Sequence, residues 1–82
     1  MYQMIHEPIS VIGVYNQGKF CLKKFKWRER TYNVDQTTLI ANLQDGGVKQ
    51  RMYSVQSGAN VYRILFNRET EIWQLAEIWL DG

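Results

Sequence analysis

The sequence predicts an all-β domain: a small antiparallel barrel of about five or six strands, with room for one short helix. Three observations carry that prediction. Turn signals recur every ten residues or so, at Asn16-Gln17-Gly18, Arg28-Glu29, Asp45-Gly46-Gly47, Ser57-Gly58-Ala59-Asn60 and Asn67-Arg68-Glu69-Thr70. The runs between them are short and rich in β-branched and aromatic residues. One of those runs folds onto the next in a clean alternation of apolar and polar side chains. Even turn spacing with such runs is the pattern of a compact meander, here an SH3-like barrel or a sandwich.

The 82 residues make one domain, spanning 1–82, with residues 1–7 expected to fray. A chain of this length buries only about 60–65% of the surface its unfolded form exposes, so its core must be dense in large side chains. Three Trp, five Tyr and three Phe supply the material, and most of them are expected in the core.

The alternation is clearest between residues 19 and 34. If Arg28-Glu29 is a two-residue turn, Trp27 faces Arg30, Phe25 faces Tyr32 and Lys23 faces Val34. Phe25, Trp27, Tyr32 and Val34 then share one face, and Lys24, Lys26, Thr31 and Asn33 share the other. Arg30 falls beside Trp27, where a cation–π contact is expected. The turn is the weak point, because neither Arg nor Glu favours the positive φ of a primed turn; a longer loop or bulge is the alternative. Upstream, Phe20 and Leu22 have the opposite parity to Phe25 and Trp27, which predicts a bulge at Lys23-Lys24.

Further along, a four-residue loop at 67–70 pairs Ile64 with Trp73 and Tyr62 with Leu75. Ile72, Leu75, Ala76 and Trp79 also fit a helical stripe, so 71–80 is read as strand with helix as the alternative. Residues 35–48 read as a short strand or a turn of helix, followed by a mobile Gly-Gly loop. Trp79 is placed as a cap on an open barrel end.

The chain carries one cysteine, Cys21, and a single histidine, His6. No intramolecular disulfide is possible, no apolar run is long enough to cross a bilayer, and the N-terminus lacks the pattern of a signal peptide. A reducing cytoplasm is the expected location, a secreted chain with its signal removed the alternative. Catalysis is not expected. Cys21 lies between Phe20 and Leu22 with no local His, the glycines cradle no phosphate, and no carboxylate pair suggests acid–base work. No metal-ligand spacing occurs, and no cofactor or membrane partner is expected.

Charge is more informative than its net value of +2. Lys19, Lys23, Lys24, Lys26, Arg28 and Arg30, six of the ten basic residues, lie within twelve positions that hold one acid, Glu29. From Glu69 to Gly82 there are four acids and no base. A surface that follows a nucleic-acid backbone needs such cations to neutralise phosphates, and single-strand binding adds aromatics for stacking. Tyr15 and Tyr53, unused by the strand pairing, are the aromatic candidates. DNA or RNA binding through this basic hairpin is therefore the leading expectation. The competing one is capture of a protein partner, or of a second copy, by a sheet edge or aromatic groove. A third reading is that the lysines only solubilise an edge strand.

The pattern Phe25-x-Trp27-Arg28-x-Arg30-x-Tyr32-x-Val34, continued by Arg51-x-Tyr53-x-Val55, Tyr62-x-Ile64-x-Phe66 and Trp73-x-Leu75-x-x-Ile78, resembles a family of small bacterial domains of uncharacterised function. Some of these are associated with Y-family DNA-polymerase-like proteins. The resemblance spans residues 8–80, departs from the pattern at Glu29 where relatives carry Gly, and brings no catalytic residues. It implies an intracellular β domain and adds weight to a DNA-related role.

Overall fold

A computed structural model describes residues 1–80; Asp81, one of the four C-terminal acids, lies outside them. The chain is all β: β1 (Tyr2–Pro8), β2 (Ser10–Asn16), β3 (Lys19–Trp27), β4 (Arg30–Asn33), β5 (Gln36–Asp45), β6 (Val48–Ser57), β7 (Asn60–Asn67) and β8 (Trp73–Trp79). They form two antiparallel sheets, one in the order β1-β8-β7-β6-β5 and one in the order β2-β3-β4. Neither sheet closes on itself. The eight strands exceed the expected five or six because two runs pass from one sheet to the other. β1 and β2 are separated by Ile9 alone, whose N–H donates to the Trp73 carbonyl at 3.1 Å. Val34 and Asp35 make the second corner: Val34 N–H reaches the Lys23 carbonyl at 2.9 Å, and Asp35 N–H reaches Gln56 at 2.8 Å.

The core lies between the sheets. Leu22 and Phe25 from the small sheet pack against Tyr53, Val55, Tyr62, Ile64, Leu75 and Ile78 from the large one. Phe25 stacks on Tyr32 with ring centroids 5.0 Å apart and the planes 9° from parallel, and Tyr62 meets the same ring edge-on at 5.2 Å. Offset and edge-on contacts are the arrangements the ring quadrupoles favour.

The β3–β4 hairpin has the register read from its alternation: Trp27 opposite Arg30, Phe25 opposite Tyr32, Lys24 opposite Asn33. Arg28 and Glu29 both adopt positive φ, 50° and 65°, the signs of a type I′ turn, despite the poor fit of both residue types. The bulge is also where parity placed it. β2 pairs Ile12 with Lys24 and Gly13 with Leu22, leaving Lys23 as the extra residue.

Four expectations are corrected. Residues 1–7 are not frayed, since β1 pairs with β8 from Tyr2–Trp79 to Pro8–Gln74, and the Met1 and Leu80 backbones hydrogen-bond both ways. Residues 35–48 hold a ten-residue strand and a tight turn at Gly46-Gly47, both at positive φ. A bulge at Thr38, where the β5–β6 register shifts, masks its alternation. Residues 73–79 are strand, but Ile64 pairs with Leu75 and Tyr62 with Ile78. The preceding loop is longer than 67–70. Asn67 Oδ1 accepts from the N–H groups of Glu69 and Thr70, and Asn67 N–H bonds to the Ile72 carbonyl at 3.0 Å. Finally, Trp79 caps no opening: it faces outward on the large sheet beside Tyr2, 4.8 Å between rings.

Candidate functional site: a basic face and an aromatic groove

Strand parity divides the small sheet into two faces. Leu22, Phe25, Trp27, Tyr32 and Val34 point toward the core. The outer face carries Ser10, Ile12 and Val14 from β2, Lys19, Cys21, Lys24 and Lys26 from β3, and Thr31 and Asn33 from β4. Lys24 lies between Ile12 and Asn33, and Lys26 between Ser10 and Thr31. Lys23, on the bulge, is exposed beside them. No carboxylate shares this face, and none of these lysines enters an ion pair among the described residues. Glu29, at the turn, lines a shallow depression together with Lys26 and Arg28.

The two tip arginines are placed differently. Arg28 is held by Glu7: Nε donates to Oε1 at 3.0 Å and Nη2 to Oε2 at 2.6 Å, a bidentate pair. Trp27 Nε1 adds a third bond to Glu7 Oε1 at 2.9 Å. These bonds, Arg28 first and Trp27 second, hold the Glu7 carboxyl below its ordinary value, and the Arg28 guanidinium is raised in turn. The expected contact of Arg30 with Trp27 is not made. Positive φ at Arg28 folds its own guanidinium over Trp27, 4.6 Å from the ring centre, while Arg30 reaches along its strand to Tyr32 at 5.7 Å.

Tyr15 and Tyr53 separate as well. Tyr15 is 79% exposed, but on the inward-facing side of β2, away from the lysines. Tyr53 is 3% exposed and belongs to the core, so it offers no stacking surface beside them. Its alternation with Val55, matched by Tyr62 and Ile64 on β7, is the sequence signal for that burial.

Both tyrosines border an open groove of about 860 Å³ between the sheets, whose lining the sequence reading, though it allowed for an aromatic groove, did not identify. Its aromatic lining is Phe20, Phe66 and Trp73 with the two tyrosines; Phe20 lies 5.2 Å from Tyr15 and 5.6 Å from Trp73, and Phe66 lies 4.5 Å from Trp73. Gly13 permits this packing, since a Cβ there would stand 2.4 Å from Phe20 Cζ and 2.5 Å from the Cys21 carbonyl oxygen. Lys19, Arg51 and Glu71 supply charge at the groove, with Arg51 Nε tied to Asn42 Oδ1 at 3.0 Å. Phe20 reaches Tyr53 and Trp73, residues far from it in sequence and beyond the reach of local pattern.

Among the described residues no three His, Cys, Asp or Glu gather where they could hold a metal ion, and no helix is long and apolar enough to cross a membrane. His6 is exposed at the β1 bulge with φ 55°, and Cys21 is half-buried on the lysine face. No protein-family model, curated protein or solved structure matches the chain.

Proposed function

We propose that this chain is a non-catalytic nucleic-acid-binding module that holds the phosphate backbone on the outer face of β2-β3-β4. The observation that carries the reading is a sheet face with Lys19, Lys24 and Lys26, joined by Lys23 at the bulge, and no carboxylate to neutralise them. Three or four such cations match successive phosphates without reading base edges, so binding is electrostatic and tolerant of sequence. Arg28 is outside this set, because Glu7 already occupies its guanidinium. The resemblance to domains associated with polymerase-like proteins points the same way, as does an expected reducing cytoplasm. The two corner-joined sheets are read as an opened SH3-like barrel, whose small sheet presents the lysines.

Fluorescence anisotropy with a labelled duplex tests the reading. Neutralising about three phosphates gives a log–log salt slope of about −2.7, a loss of roughly forty-fold in affinity between about 50 and 200 mM salt. Lys24→Glu with Lys26→Glu removes binding at low salt and leaves the melting midpoint in place, since both side chains are exposed. Binding that survives the double reversal contradicts the proposal. So does a salt slope near zero.

A further inference from the structure

The free edges of the two sheets differ in how they are protected. β1 carries His6, Glu7 and Pro8 and is broken by a register shift between Met4 and Glu7. β4 is four residues long and begins with Arg30. The β2 edge is interrupted opposite Lys23 and lines the groove with Glu71 and Trp73. Shortness, charge, proline and bulges are the usual ways in which edges are kept from pairing. β5 has almost none of them. From Gln36 to Gln44 it contains no charge, no Pro and no Gly, and from Leu39 to Asp45 it pairs with β6 without interruption.

Three large apolar side chains stand exposed on this edge among uncharged polar ones: Leu39 (49%) and Leu43 (42%) on the outer face and Ile40 (54%) on the other. The Asp45–Val48 turn pair sets the alternation of hydrogen bonds along the ladder. It directs the backbone groups of Leu39, Ala41 and Leu43 toward β6 and those of Ile40, Asn42 and Gln44 to the open side. An acidic, basic or nucleic-acid partner finds no complementary charge on such an edge. An equally uncharged strand does, and the chain supplies one in itself. The outward-facing series Leu39, Ala41, Leu43 is symmetric about Ala41, as an isologous contact requires.

We propose that two copies of the chain associate through β5, antiparallel about a two-fold axis at Ala41, joining their five-stranded sheets edge to edge. Leu39 then stands opposite the partner's Leu43, and Ala41 opposite the partner's Ala41, in closely spaced non-hydrogen-bonded pairs. Ile40 and Asn42 exchange backbone hydrogen bonds with the partner's Asn42 and Ile40. No like charges oppose each other from Leu39 to Leu43. The basic face lies on the other sheet, so this association stands or falls independently of nucleic-acid binding.

Sedimentation equilibrium of the wild-type chain tests the association, with an expected mass of about twice the 9.7 kDa of one copy. Leu39→Lys with Leu43→Lys sets lysines against each other across the axis and yields a monomer with an unchanged circular dichroism spectrum. The register is tested separately in a Cys21→Ser background. Ala41→Cys gives a disulfide-linked dimer under mild oxidation, whereas Leu43→Cys, displaced from its own copy by four residues of register, does not. A wild type that stays monomeric at high concentration overturns the proposal, even if it captures an uncharged foreign strand. A double-lysine variant that remains dimeric overturns it too, as does equal cross-linking at both cysteine positions.

Discussion

On their inner faces the two sheets are alike. Leu22 and Phe25 of one meet Val55, Ile64 and Leu75 of the other in a single buried cluster. On their outer faces they part company. The small sheet presents Lys19, Lys24 and Lys26 among small or polar residues, apart from Ile12 and Val14. The large sheet presents Met4, Leu39, Leu43, Val48 and Trp79 around the Arg63–Glu77 pair at 3.7 Å. The strand rule, two faces with a period of two, is the same in both sheets. What differs is what each outer face exposes: lysines outside any ion pair among the described residues on one side, and large apolar side chains around an ion pair on the other.

Inner and outer positions are separated most sharply by one pair of substitutions. Ile64→Ala removes a side chain with no exposure and leaves a cavity, at a cost of about 3 kcal/mol. For a domain of this size that is a large part of the total stability. Ile12→Ala, the same change on the outer face of the small sheet, shifts stability by less than about 0.5 kcal/mol. Chemical denaturation of the two variants reads the contrast directly. Equal costs would mean that the outer face is covered in the isolated protein.

A smaller effect is expected at Glu7, which ties β1 of the large sheet to Trp27 and Arg28 of the small one. A carboxyl whose folded value is depressed adds stability above its ordinary value near 4.5, and that stability is lost as pH falls through the folded value. Glu7→Gln is therefore less stable than the wild type at neutral pH, and the two melting curves converge in acid below that ordinary value. Thermal melts across that range check the convergence; a constant gap would place the stabilisation in packing instead of charge.

One substitution is expected to give a gain. Glu29 holds a left-handed conformation with φ 65°, which only glycine adopts without strain. Glu29→Gly raises stability by about 1 kcal/mol, or about 5 °C in the melting midpoint of a domain this small. A drop in the midpoint would show that the Glu29 side chain contributes something its geometry does not reveal.

Legibility from sequence followed the regularity of the pattern. Between Phe25 and Val34 the alternation is unbroken, so the register and the division into faces followed once a two-residue turn was assumed, though Arg28 and Glu29 themselves argued against that turn. The parity switch at Lys23 exposed the bulge in the same way. Where an irregularity sat inside a run, the reading failed. The bulge at Thr38 puts Thr37 and Leu39 on opposite faces, breaks the period of two and disguises a ten-residue strand. The side-chain hydrogen bonds of Asn67 lengthen the loop before β8, and an extra residue at Ala76 offsets the rest of that strand. At the candidate site the lysines were visible as a cluster, but the neutralisation of Arg28 was not. Its partner Glu7 is 21 positions away, and no local signal connects them.

The central claim, that the outer face of the small sheet is the ligand surface, is tested most directly by mapping amide shifts during titration with a short DNA duplex at low salt. The account predicts shifts at Ile12, Lys23, Lys24, Lys26 and Thr31, lost on raising the salt, with the amides of Met52, Leu65 and Leu39–Leu43 unmoved. Shifts confined to the large sheet, or none anywhere, would contradict it.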